Sequence, residues 1–309
     1  METEKIIIIG SGPAGLNAAL YTGRANLSPL VFTGIELGGQ ISLTHQVENY
    51  IGFPDGISGP ELVEVMQKHA KNFGARTVMD EITGIDVSSV GSFQVSTRKK
   101  SYTANSLILA TGASPRRLGI PGEEEYIGRG ISFCATCDAF FFNGKDVLVI
   151  GGGDSALEEA LFLTRFAKRV RIVHRRDQLR AGETLKKAAE ENPKIEFIWN
   201  TILEKIQGND KVESVLARNI KTDKTEEIKT DGVFIFIGHY PNTSIFGDKL
   251  EKDEKGYLKT DKYMQTSVSG VFAAGEVQDR IYRQISTSAG QGCAAAMSAI
   301  RWLRENGKT

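Results

Sequence analysis

Short, nearly unbroken apolar runs recur along the chain at residues 5–9, 29–32, 107–110, 146–150, 170–173 and 233–237. They are too short for helices and rich in Ile, Val and Leu. Such runs read as strands buried on both faces, the pattern of a parallel sheet. All but the fifth reach a glycine within two residues. Two stretches of shorter alternation, residues 77–106 and 195–228, read as antiparallel meanders. Helical spacing appears at 16–24, 59–73, 155–166 and 286–301, with Leu62, Val65, Met66 and Ala70 marking one face of the second. The order strand, helix, meander, closing strand therefore occurs twice. The pattern predicts an α/β chain of two units built on one plan.

The chemistry lies just after the first and fourth strands. Residues 5–9 lead directly into Gly10-Ser11-Gly12-Pro13-Ala14-Gly15 and then a helix. A strand, G-x-G-x-x-G and a helix form a dinucleotide-binding fingerprint, because glycines let the backbone approach a pyrophosphate at the helix start. The acid expected about 20 residues on is absent; the second strand ends in Thr33-Gly34, and Glu36 is the nearest carboxylate. Residues 146–150 lead into Gly151-Gly152-Gly153-Asp154-Ser155-Ala156, the G-x-G-x-x-A form. The strand after that helix ends in His174-Arg175-Arg176, with Arg180 beyond. Arginine in this place marks a 2′-phosphate and hence NADP, since guanidinium pairs bidentately with phosphate oxygens. Arginines in only one of two nucleotide units predict two different nucleotide ligands.

Cys134-Ala135-Thr136-Cys137-Asp138 precedes the second glycine motif. A C-x-x-C pair closes into a small disulfide and lowers the thiolate pKa of one member, which makes it a two-electron carrier. A zinc site would need two further ligands. Cys293 stands alone among small residues that read as a buried helix face, and His45, His69, His174 and His239 show no paired spacing, so no metal is expected. His69 reads as a helix-surface residue; His45, in a polar loop, is open to a ligand contact or a structural role.

The remaining bulk properties narrow the setting. A length of 309 residues predicts two domains at about 150 residues each. Lys plus Arg and Asp plus Glu both number 38, which gives no basis for a general nucleic-acid or membrane surface. No apolar run approaches the ~18 residues of a membrane span, and the start lacks an export signal. A reducing cytoplasm is the expected compartment, where C-x-x-C is more often catalytic than structural.

Residues 10–15, Thr111-Gly112-Ala113, 134–138, 151–156, 174–180 and 275–284, taken in order, resemble the low-molecular-weight thioredoxin reductases, FAD- and NADPH-dependent flavoproteins. The likeness spans essentially the whole chain. It implies two Rossmann-like domains, each with a parallel sheet and an antiparallel meander. The FAD domain would be discontinuous, residues 1–115 and 244–309, and the NADPH domain, residues 116–243, would carry the dithiol. It also implies a homodimer. Electrons would pass from NADPH through FAD and the Cys134–Cys137 pair to thioredoxin. Cys137 would face the flavin, Cys134 would attack the partner, and Asp138 would move the proton.

The resemblance places FAD contacts at Gly10, Ser11, Gly12, Pro13, Ala14 and Gly15, and at Thr33, Gly34, Gly39, Gln40 and Asn49. It adds Ala110, Thr111 and Gly112, then Gly275, Glu276, Arg283, Gln284 and Ile285. NADPH contacts fall at Gly152, Gly153, Asp154, Ser155 and Ala156, at His174, Arg175, Arg176 and Arg180, and at Ile237 and Gly238. Arg129, Phe141 and Phe142 match positions where the family meets thioredoxin, although the aromatics equally fit a core. Two residues depart from the family pattern. Glu276 stands where Asp is common, and Ala139 stands where Gly is common after the acid. Other readings are a flavin disulfide reductase fed by ferredoxin or serving another partner, and a non-enzymatic redox-sensing flavoprotein. The arginines weigh against ferredoxin, and the intact Cys-Ala-Thr-Cys-Asp set weighs against the non-enzymatic reading.

Overall fold

The computed structural model describes residues 3–35, 37–44 and 46–309. Glu36 and His45, both singled out by the sequence, lie outside them. The chain divides into two compact units, Met1–Ser114 with Tyr240–Thr309, and Pro115–His239.

The first unit is built on the Thr3–Ile9 strand, whose residues Ile6, Ile7 and Ile8 are fully buried. Burial of each such side chain contributes about 1.5–3 kcal/mol. Leu30–Phe32 and Ser101–Leu109 flank it in parallel. The sheet order is Arg76–Val78, Leu30–Phe32, Thr3–Ile9, Ser101–Leu109, Phe93–Thr97, Ile82–Asp86, with Val271–Ala273 also parallel on Ser101–Leu109. Two expectations change here. Residues 77–78 belong to a parallel strand, so the antiparallel part begins at Ile82. Residues 101–109 form one strand, because the same backbone serves Phe93–Thr97 on one edge at its start and Thr3–Ile9 on the other.

Helix Pro13–Arg24 packs along helix Ile285–Glu305 through small residues: Ala14, Ala18 and Ala19 with Gly292, Ala295, Ala296 and Ala299. A Cβ on Gly292 would collide with the Ala14 carbonyl. Helix Gly59–Asn72 is started by a reciprocal capping box between Ser58 and Glu61.

The second unit has a five-stranded parallel sheet in the order Ile195–Ile198, Arg169–Val173, Asp146–Ile150, Gly232–Ile235, Ile131–Ser132. Residues 195–198 therefore leave the expected meander. Their apolar pattern is that of a strand pairing with Arg169–Val173, and the meander is Thr201–Gly208, Val212–Asn219 and Thr225–Lys229. Helix Glu183–Glu190, not anticipated from the sequence, connects Arg169–Val173 to Ile195–Ile198. Where the chain passes between units, strands Ala113–Pro115 and His239–Pro241 pair with each other. Among the described residues no helix is long and apolar enough to cross a membrane.

Candidate active site

Cys134 and Cys137 form a disulfide in the second unit, with Cα atoms 5.3 Å apart. The pair sits on a single helical turn, Ala135–Asp138, directly after the edge strand Ile131–Ser132. Three side chains hold that turn. The Ser132 hydroxyl accepts the Cys134 amide and donates to the Cys134 carbonyl, both at 3.1 Å. Glu159, from helix Asp154–Leu163, accepts the Ala135 amide at 2.8 Å. Arg117 lies 4.5 Å over the ring of Phe133, the residue before Cys134. Thr136 places its hydroxyl 3.3 Å from the Cys134 Sγ.

Asp138 completes the turn. Burial pushes its carboxyl pKa up, and a hydrogen bond with Ser132 pulls the other way. A carboxyl that holds its proton beyond the ordinary range can give it to a leaving thiolate. Ala139 follows with φ −56°, ψ −34°, ordinary right-handed helix, so the alanine at this position costs no backbone strain. Next comes the turn Ala139–Phe142. Phe142 is buried and packs edge-on against Phe234, whereas Phe140 and Phe141 are 63% and 36% exposed. The sequence leaves Phe141 and Phe142 open between a docking surface and the core: Phe142 is core, its ring covering Gly232, and the exposed pair is Phe140 and Phe141. Arg129 is exposed.

In the same unit, the loop after Asp146–Ile150 brings Gly152, Gly153, Asp154, Ser155 and Ala156 together at the start of helix Asp154–Leu163. A Cβ on Gly153 would meet nothing within 4 Å, while Ala156 is fully buried under Gly151. His174 is buried with its ring over Gly152, and its Nε2 lies 3.1 Å from the Gln178 carbonyl oxygen. Burial lowers its pKa, with Arg180 and Arg176 adding to the effect. Its imidazole therefore packs beneath the loop. Arg175, Arg176 and Arg180 are exposed, and none makes an ion pair among the described residues. The Arg180 amide donates to the Gly152 carbonyl at 2.7 Å, which fixes the arginine segment against the glycine loop. Ile237 packs on the core, and the Gly238 carbonyl accepts the Arg116 amide at 2.9 Å.

The first unit repeats the device. Gly10 has φ +113° and touches the Ala110 carbonyl, and a Cβ on Gly15 would collide with the Gly10 carbonyl. Gly12, between them, faces open space apart from the Gly38 carbonyl oxygen, 3.8 Å from where its Cβ would stand. Pro13 and Ala14 begin the helix. Ser11 accepts the Gly38 amide at 3.1 Å and reaches the Thr33 carbonyl at 3.4 Å. Gly34, Gly39 and Gly112 all have positive φ, and around Gly34 and Gly112 there is room for a Cβ.

Gln40 Nε2 donates to the Ala113 carbonyl at 2.5 Å and to Glu276 at 2.9 Å. Burial raises the Glu276 pKa against the opposing bond from Gln40 and the charge of Arg283. Arg283 is held at φ +49°. Gln284 caps helix Ile285–Glu305 and accepts from Asn49 at 3.3 Å. Thr111 and Gly112 are tied to Asn242: the Thr111 hydroxyl donates to the Asn242 carbonyl, and the Asn242 side chain and amide donate to the Thr111 and Gly112 carbonyls.

The matching family model is that of the pyridine nucleotide-disulphide oxidoreductases, over residues 4–292. The chain belongs to this family. Within the pyridine nucleotide-disulphide oxidoreductases, the chain's relatives include a thioredoxin reductase of Streptomyces coelicolor, 47% identical over 98% of this chain and 94% of that one. A bifunctional thioredoxin reductase/thioredoxin of Mycobacterium leprae is 48% identical over 98% of this chain and 66% of its own length. The thioredoxin reductase structure from Streptococcus pyogenes aligns with a TM-score of 0.94 at 44% identity, covering 98% and 99% of the two chains. The chain is a flavoprotein disulfide oxidoreductase of the thioredoxin reductase group, with the Cys134–Cys137 pair as its redox centre.

Membership implies FAD and a pyridine nucleotide. The residues present fit two such groups. Each strand–glycine–helix motif has one glycine, Gly12 or Gly153, whose missing side chain leaves space beside the helix start, while its neighbouring glycines and alanine are closed in by protein. Sequence reasoning missed the supports of the site: Ser132, Glu159, Asn242, the buried Tyr257 near Arg283 and Glu276, and buried Asp279, which binds the Ile281 and Tyr282 amides and Gln291. Only Ser132 carries a local signal, a serine two residues before the amide it binds. Cys293 also differs from expectation. It is half-buried, with its thiol 3.9 Å from the Met297 sulfur and bonded to the Tyr21 hydroxyl, because its helix face is only partly covered.

Proposed function

We propose that this oxidoreductase is an NADPH-dependent thioredoxin reductase, with FAD in unit Met1–Ser114 with Tyr240–Thr309 and NADPH in unit Pro115–His239. When bound, NADPH supplies a hydride and FAD carries its two electrons to the disulfide. The observation that carries the reading is a closed Cys134–Cys137 disulfide, with Asp138 beside it, in the same unit as a glycine loop edged by three arginines. Among the described residues Arg175, Arg176 and Arg180 have no carboxylate partners, and they suit a phosphate on the nucleotide ribose. Such a group is absent from NADH and irrelevant to ferredoxin.

The thiol chemistry then falls to the chain. One enzyme thiolate attacks the partner's disulfide, forming a mixed disulfide and releasing a partner thiolate, which takes a proton from Asp138. The second enzyme thiol displaces the remaining partner sulfur and restores the Cys134–Cys137 bond. Phe140, Phe141 and Arg129 give the partner an exposed aromatic and cationic surface, and the thioredoxin joined to the Mycobacterium leprae relative supports thioredoxin as that partner. A homodimer in a reducing cytoplasm is part of the same reading.

The test is direct. The purified protein should be yellow, lose that colour with NADPH but not NADH, and reduce thioredoxin disulfide at NADPH's expense. Equal bleaching by both coenzymes, or bleaching without thioredoxin reduction, overturns the reading.

A further inference from the structure

Glu159 reaches from helix Asp154–Leu163 to the Ala135 amide, one residue from Cys134. That helix starts at the open glycine loop, and Glu159 lies five residues, about 7.5 Å, along it. The same rigid element thus carries the nucleotide loop at its end and the dithiol clamp along its side. We propose that Glu159 is the positioning residue that sets the reducing strength of the Cys134–Cys137 dithiol, a role that rests on the redox function above.

The argument is one of competing acceptors. A backbone amide beside a cysteine stabilises thiolate when it donates to it, and stabilising the reduced form makes a dithiol a weaker reductant. Here the Ala135 amide is committed to a carboxylate oxygen at 2.8 Å in a half-buried place. It is therefore withheld from sulfur, while Ser132 occupies the Cys134 amide in the same way. Loss of the Glu159 acceptor would release the Ala135 amide to the sulfurs. The dithiol would become harder to oxidise, and partner reduction would slow without any change in hydride delivery.

The experiment uses the holoprotein and two variants. Glu159→Met fills the volume but offers no oxygen; Glu159→Gln keeps a carbonyl oxygen for the amide. Each is equilibrated with mixtures of reduced and oxidised dithiothreitol. In that exchange the enzyme disulfide takes two electrons and two protons from the reagent, which closes to its cyclic disulfide. The reduced fraction is read by alkylation and mass. Glu159→Met should shift the equilibrium about tenfold toward the reduced enzyme, roughly 30 mV for a two-electron couple, and Glu159→Gln should stay near wild type. NADPH should bleach the flavin of all three alike. An unshifted Glu159→Met overturns the proposal, and so does an equal shift in both variants, which would implicate charge instead of the hydrogen bond. If the wild type itself fails to bleach with NADPH or to reduce thioredoxin, the functional reading fails, a result independent of the variants' dithiol equilibrium.

Discussion

Asp138 and Glu276 are both carboxyls whose pKa is raised by burial, and the two should answer pH differently. In the proposed mechanism Asp138 gives up a proton, so turnover with a disulfide partner should fall as pH rises through its elevated value. Asp138→Asn should lose about 10²- to 10⁴-fold in that turnover, the usual weight of a proton donor, and lose this pH limb, while NADPH still bleaches the flavin. A variant with full turnover would remove Asp138 from the mechanism.

Glu276 has no proton to deliver, and its shift appears as stability. Below the ordinary glutamate range it is protonated in folded and unfolded chain alike. As pH climbs through the raised folded value, the folded state must shed a proton it holds more tightly, and stability is lost. Flavin-free Glu276→Gln should therefore gain melting temperature relative to wild type between pH 4 and pH 8; a constant difference across that range would contradict the shift. Glu276 and Gln40 meet across 236 positions of sequence. No local pattern announces that bond, which is why the glutamate could be read only as a departure from the family pattern.

At the scale of elements, the glycine loops separate two jobs that look alike in a motif. Gly153 has extended backbone and open surroundings, so Gly153→Val should keep the fold within about 0.5 kcal/mol yet block the pyrophosphate and abolish NADPH bleaching. Gly15→Ala faces the Gly10 carbonyl and should cost about 1–3 kcal/mol of stability, read in denaturant melts. If Gly153→Val binds NADPH normally, the loop is not the phosphate site.

The strands and loops were legible because buried parallel strands need continuous apolar runs, and tight strand–helix turns need glycine. The distinction between Phe141 and Phe142 was not. Both are aromatic, both follow the dithiol, and a short 3-10 turn of 4 residues rotates one in and its neighbours out without a periodicity to read. Residues 195–198 read as part of the meander for a related reason. A strand begins there in either reading, and only its partner, Arg169–Val173, decides parallel from antiparallel.

For the whole molecule, coenzyme choice is the sharpest test of how the two units divide labour. Replacing Arg175 and Arg176 with Ala together should raise the NADPH KM by about tenfold or more per lost contact, given ~1.5–3 kcal/mol for each charge-assisted bond. NADH should be spared, and kcat little changed. Equal losses with both coenzymes would mean the arginines do not read the ribose phosphate.

The chain breaks of each unit also lie side by side. Gly112 accepts the Asn242 amide at 3.0 Å in one unit, and Arg116 donates to Gly238 at 2.9 Å in the other. Each is therefore nearly a closed loop of chain, and the pair reads as a cassette spliced into a host. Residues 1–112 could be sutured to 242–309 by a turn of about two or three glycines, since chain ends this near tolerate excision and re-ligation. The pared-down host should still turn yellow with flavin. The excised cassette should still close its disulfide in air. On the proposed reading the disulfide belongs to the cassette and the flavin to the host, so exchanging the cassette would exchange the electron acceptor and leave the flavin site as it is.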